Sequence, residues 1–181
     1  TSTFYPHIYS SKSNSLGFKI KIGDIITYRG DPINVPINQR LYAGGSNSVR
    51  GWGSRELVPE DPLIDFGNSS REELEAVLLK GNLPGGFFLF EGSIETRHKF
   101  WDRIGTALFL DYGNTWNDVK KVKLDQIAVA AGFGFRYYSD FIPFRIDFGF
   151  KVYDPRDNRS MFKKQFWGEL LQFHIGIGEA F

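Results

Sequence analysis

Along most of its second half the chain alternates hydrophobic and polar residues with a period of two, the spacing of strands whose two faces meet different surroundings. From Phe87 to Lys99, Phe88, Phe90, Gly92, Ile94 and Thr96 share one face, and Glu91, Ser93, Glu95 and Arg97 the other. From Ile104 to Trp116, Ile104, Thr106, Leu108, Leu110 and Tyr112 oppose Gly105, Ala107, Phe109, Asp111 and Gly113. Ile127 to Tyr138 sets Ile127, Val129, Ala131, Phe133, Phe135 and Tyr137 against small residues and Arg136. Pro143 to Tyr153 sets Phe144, Ile146, Phe148, Phe150 and Val152 against Arg145, Asp147 and Lys151. The last run, Leu170 to Phe181, opposes Phe173, Ile175, Ile177 and Phe181 to His174, Gly176, Gly178 and Ala180. An earlier run places Leu16, Phe18, Ile20 and Ile22 opposite Lys19 and Lys21. Six strands are predicted, and none is assigned to Thr1 to Ser10, where the period is ambiguous.

The polar faces carry charges of both signs and the apolar faces are rich in Phe. A soluble β-sandwich and a membrane barrel both produce this alternation. Length separates them: the runs reach about 10 to 13 residues, as tilted membrane strands do, whereas soluble strands centre on about 5–6. The fold expected is therefore all-β, an antiparallel transmembrane β-barrel wall.

The connections are unequal. Phe100 to Arg103 and Tyr138 to Pro143 are short turns, while Tyr28 to Gly86 is very long. Within that loop, about residues 29–86, a short helix is predicted over about 70–79, with Ser69 or Ser70 as cap and Glu72 and Glu73 in its first turn. Short turns on one rim and long loops on the other suit an outer-membrane barrel, and a connection this long is commonly functional.

Composition narrows the classes further. No stretch approaches the roughly 20 consecutive apolar residues of a helical span, and the mean hydropathy is -0.28, but a barrel wall escapes that test because only alternate residues are apolar. Aromatic residues make up 17% of the 181 residues, with 18 Phe and 8 Tyr, and Gly numbers 20. A net charge of +1 offers no electrostatic case for nucleic acid, and with no cysteine there are no disulfides or thiolate metal sites. The chain begins at Thr1 without a methionine and shows no signal peptide, which suggests a processed chain or a piece of something longer.

The most distinctive local sequence is Arg40-Leu-Tyr-Ala-Gly-Gly-Ser-Asn-Ser-Val-Arg-Gly-Trp52. Gly44, Gly45 and Gly51 permit tight bends, which puts Arg50 at a tip flanked by Val49 and Trp52. Two readings stand at this point: a solvated arginine on an exposed loop, or an arginine entering a confined space and meeting a carboxylate there.

This stretch resembles the loop motif of the BamA/TamA family, the bacterial surface antigens, in which an Arg-Gly-aromatic tip folds back into the barrel lumen. Trp52 departs from the more usual Phe or Tyr but keeps the aromatic character. Two further segments match that family in the same order: Glu95-Thr96-Arg97 resembles its Glu-Tyr-Arg, and Leu110-Asp111-Tyr112-Gly113-Asn114-Thr115-Trp116 its Asp-x-Gly-x-x-Trp. The ending Phe173, Ile175, Ile177 and Phe181 resembles the C-terminal β-signal. The resemblance covers most of Leu16 to Phe181 except residues 66–83. It implies that residues 1–181 are the C-terminal part of one outer-membrane β-barrel domain, which the family builds from about sixteen strands, so six strands leave an open edge expected at the N-terminal strand unless the missing strands are supplied elsewhere. Arg50 is then the lumenal tip, with Glu95 and Asp111 as its partners on the wall; strand phasing independently puts both acids on the charged face.

Other chemistry finds no foothold. Asp147-Phe148-Gly149 spells a kinase triplet without the accompanying catalytic and phosphate loops, and within a barrel Asp147 is an acid between Arg145 and Lys151. Gly132-Phe-Gly134 and Gly176-Ile-Gly178 lack the third glycine and following helix of a dinucleotide site. His7, His98 and His174 show no ligand spacing, so no metal, cofactor or catalytic residue is expected, and Ser46 and Ser48 lie beside no base or acid motif. The resemblance implies a non-enzymatic role in the bacterial outer membrane, the folding and insertion of other β-barrel proteins. Its partners would be outer-membrane lipid, unfolded barrel proteins and accessory assembly subunits. A two-partner secretion-type pore of the same fold and a soluble β-sandwich binding module are the alternatives.

Overall fold

A computed structural model describes residues 1–4, 7–11, 13–28, 30–63, 83–157, 159, 165–166 and 169–180. Its frame is a single antiparallel sheet. The strands are β1 (Ser2–Phe4), β2 (His7–Ser10), β3 (Asn14–Asp24), β4 (Phe88–Trp101), β5 (Ile104–Trp116), β6 (Ala128–Tyr138), β7 (Pro143–Tyr153) and β8 (Leu171–Ile177). From β3 onward each strand pairs with the next in sequence. Both β1 and β2 lie along the free side of β3, with Ser2 opposite Ile22 and His7 opposite Gly17, so together they form one outer strand. No pairing joins that strand to β8 among the described residues, and the sheet stays open.

The six strands read from alternation are present. The β1–β2 strand is an addition to them. In the sequence Pro6 interrupts its period and offers no N–H, so it is revealed by hydrogen bonding along β3 rather than by side-chain pattern. At the other end β8 stops at Ile177, short of the predicted Phe181. Gly178 takes a φ of +83°, and the chain turns so that Glu179 reaches Arg136 at 3.0 Å. Phe181 and the helix predicted over about 70–79 lie outside the described residues.

The burial of the two faces is opposite to that of a soluble sheet. Large apolar side chains on one face are exposed: Leu108 by 57%, Phe135 by 51% and Ile175 by 70%. On the other face Glu91, Glu95, Asp111, Arg136, Arg145, Asp147 and Lys151 are buried. They are covered by the segment between β3 and β4, which bridges to itself at Leu41–Gly86 and at Ala43–Leu57. A small apolar core of Ala43, Val49, Trp52, Leu57, Leu89, Ala128 and Ala130 sits between this segment and the wall. An exposed apolar face matched by a buried charged one is what a lipid-facing wall around a polar interior requires.

Candidate functional site

The loop is braced at its base and folded at its tip. At the base Arg40 is buried and donates to the carbonyls of Val35 (3.0 Å), Leu63 (2.5 Å) and Ile33 (3.0 Å). Towards the tip Gly44 and Gly45 take φ of +94° and +106°, a region that side chains with a Cβ avoid. Gly51 has no positive φ among the described backbone. Its requirement is space instead: a Cβ there would lie 2.7 Å from that of Ala130. Ser48 Oγ donates to Glu91 and accepts from the Gly44 amide at 2.9 Å, closing the turn onto β4.

Register explains where the tip lands. Ser93 lies opposite Asp111, and one row further Glu95 lies opposite Phe109. Phe109 in turn faces Gly132, and Gly132 faces Gly149. The wall here is therefore acidic on β4 and β5; Gly132 leaves room for the Phe109 ring, and Gly149 leaves on β7 a recess that accepts a backbone turn.

Arg50 fills it. Its guanidinium meets Asp111 at two points, Nε to Oδ2 at 2.8 Å and Nη2 to Oδ1 at 2.9 Å. Nη1 reaches Glu95 at 2.6 Å and Asp147 at 3.5 Å, and Nη2 donates to Ser93 Oγ at 3.3 Å. The backbone amide of Arg50 also donates to Asp111, at 3.1 Å. The guanidinium carbon stands 3.4 Å from the centroid of the Phe109 ring, a cation–π contact in a desolvated place. Burial opposes the charge, but the hydrogen bonding and attraction of Asp111, then of Glu95 and Asp147, outweigh it and raise the pKa of Arg50.

The three residues of the sequence motif, Arg50, Glu95 and Asp111, thus come together. Val49 and Trp52 pack in the apolar core beside them. Phe173, Ile175 and Ile177 stand apart, exposed on the apolar face of β8. Several contributors escaped the sequence reading. Asp147 does more than sit between Arg145 and Lys151: it receives Arg136 at 2.6 Å as well as Arg50, while Lys151 turns to Glu56 at 3.2 Å. Glu95 is shared with Arg97 (2.7 Å) and Arg136 (3.4 Å). Lys19 holds the Asn47 carbonyl at 2.7 Å, and Arg145 holds the Ser46 carbonyl at 3.1 Å and the Asn47 side chain. One sequence signal pointed to Phe109, an aromatic phased onto the charged face.

His174 of β8 donates from Nε2 to the Arg50 carbonyl at 2.9 Å. This links β8, whose outer edge has no partner among the described residues, to the loop tip. His174→Ala in the full-length protein should increase protease nicking of residues 46–53 roughly fivefold, the equivalent of one buried hydrogen bond of about 1 kcal/mol. His174→Gln keeps a donor and should restore most of the protection. Equal nicking in all three proteins would show that the contact does not hold the tip.

The site holds charges and packing together; among the described residues no group of His, Cys, Asp and Glu is arranged to bind a metal ion. A sequence model described as the Omp85 superfamily domain matches residues 1–181. The outer membrane protein assembly factor BamA of Nitratidesulfovibrio vulgaris is similar, at 27% identity over 130 residues, which make up 70% of this chain and 14% of that protein. The chain therefore spans only a small part of the length of that relative.

Proposed function

The chain belongs to the Omp85 superfamily and is a portion of a bacterial outer-membrane β-barrel of that type, and from that premise we propose that it serves the folding and insertion of other β-barrel proteins into the outer membrane. The observation that carries the proposal is the loop tip locked on the wall by Arg50, Asp111 and Glu95. It braces one side of a sheet in which β8 has no partner on its outer edge among the described residues. The role named for the similar assembly factor is carried to this chain on that basis.

The action is physical, and no covalent step or enzymatic activity is part of it. An unpaired edge presents N–H and C=O groups to which an incoming strand adds by backbone hydrogen bonding. β8 is short, seven residues against fourteen in β4, so fewer pairs hold its partner and exchange is easier. Unfolded barrel proteins are the substrates in this reading, and accessory assembly subunits act with the whole protein.

The test uses full-length protein in liposomes with an unfolded barrel substrate. Single cysteines along Leu171–Ile177 should form disulfides with the substrate's own strand during folding, and folding should be faster than in empty liposomes. Ion conductance without faster folding or crosslinks would instead identify a pore and overturn the proposal.

A further inference from the structure

The connection between β5 and β6 carries three closely spaced lysines, Lys120, Lys121 and Lys123. It does not stand clear of the sheet but folds down over the apolar face. Asn114 and Trp116, phased onto that face, are covered by it: Asn114 Nδ2 donates to the Gln126 carbonyl at 2.6 Å and Trp116 Nε1 to Gln126 Oε1 at 2.7 Å. Tyr153 Oη of β7 donates to the Asp125 carbonyl at 2.7 Å. Two short 3-10 turns, Val119–Lys121 and Leu124–Gln126, shape the segment into a belt along the long-loop rim.

That belt mixes exposed apolar and cationic side chains. Val119 is exposed by 51% and Leu124 by 83%, and Lys120, Lys121 and Lys123 project among them. Beside them a cleft of about 530 Å³ separates the lysines from Pro59, Glu60 and Asp61. The acids are already engaged. Asp61 accepts from Asn117 at 3.1 Å and pairs with Lys121 at 3.5 Å, and Glu60 accepts from Gln126. No carboxylate pairs with the side chains of Lys120 and Lys123 among the described residues.

We propose that Val119–Leu124 is a docking site for phosphate-bearing lipid headgroups of the outer leaflet, with Lys120 and Lys123 as its main contacts. Charge complementarity and position choose this occupant. In outer-membrane barrels the long loops face outward, so the belt lies where the apolar wall meets the headgroup layer. Val119 and Leu124 suit the acyl boundary, and the lysine stems bury along it while their ammonium groups reach the phosphates. The site depends on the membrane location of the chain and not on its assembly activity, so either can fail alone.

The experiment places the full-length protein in nanodiscs of phosphatidylcholine with or without phosphatidylglycerol and follows lysine acetylation by mass spectrometry. Acetylation of Lys120 and Lys123 should slow roughly fivefold in the anionic membrane, and added salt should weaken the effect. The K120Q/K123Q variant, checked for wild-type heat-modifiable migration, should retain phosphatidylglycerol roughly 25-fold less well than wild type. Equal acetylation in both membranes would overturn the proposal. So would protection by inorganic phosphate alone in phosphatidylcholine, which would reveal a site for soluble anions instead of lipid.

Discussion

Replacing Arg50 with alanine in the full-length protein should undock the loop tip and cost about 3–5 kcal/mol, the range for removing one partner of a buried ion pair. Asp111 decides the size of this effect. Glu95 keeps Arg97 and Arg136, and Asp147 keeps Arg136. Asp111, fully buried, keeps only two uncharged donors among the described residues, the Ser93 hydroxyl at 2.5 Å and the backbone amide of residue 50 at 3.1 Å. Its stranded charge is what the fold must relieve, and undocking the tip to admit water is the available route. Residues 46–53 should become protease-sensitive, the heat-modifiable folded band should be lost at lower temperature, and barrel assembly should fall with it. Arg50→Lys should recover little, because a point charge cannot meet both oxygens of Asp111 while reaching Glu95. Adding Asp111→Asn to the alanine variant should recover part of the stability without redocking the tip, a coupling that a double-mutant cycle measures. Wild-type protection of the tip in the alanine variant would remove Arg50 from the proposed role.

Much of this site was legible before the structure because a period of two assigns faces without reference to the rest of the fold. Glu95 and Asp111 had to share a face with each other and with no Phe of the apolar wall. What the period cannot supply is register. Asp147, Arg136 and His174 meet the tip because Gly134 lies opposite Asp147 and Asp147 opposite His174, pairings set by turn lengths across three strands. The recess under the tip is equally a product of register, since Gly149 looks unremarkable until it stands beside Gly132, over which the Phe109 ring lies. The end of β8 escaped for a different reason: alternation continues to Phe181, but Glu179 is drawn towards Arg97 (3.5 Å) and Arg136, a tertiary attraction that overrides the local pattern. The resemblance of the Arg40 to Trp52 stretch to a known loop supplied the inward fold, which spacing alone left undecided between a solvated and a buried arginine.

Gly149→Ala should undock the tip as effectively as the loss of Arg50, although every charge remains. A Cβ at this position would overlap the carbonyl group of Arg50 and press within 3.0 Å of the Gly51 nitrogen. These are backbone atoms of a turn already fixed by His174 on the Arg50 carbonyl and by Asp111 on the Arg50 amide, so the turn cannot slide aside without breaking one of them. Gly176→Ala is the matching control. Its Cβ would meet the Arg145 guanidinium, the far end of a flexible side chain, whose displacement gives up the bonds to Ser46 and Asn47 but leaves the Arg50 backbone seated. Overpacking of this kind costs about 1–3 kcal/mol, and for Gly149 the loss of the Arg50 contacts adds to it. Limited proteolysis of the two full-length variants should therefore show strong tip cleavage in G149A and much weaker cleavage in G176A. If both substitutions act by expelling the same turn, combining G149A with Arg50→Ala should expose the tip no further than either alone, a non-additivity expected of residues that share one contact. Full protection in G149A would mean that the tip does not approach β7 this closely, and that charge rather than fit alone seats the loop.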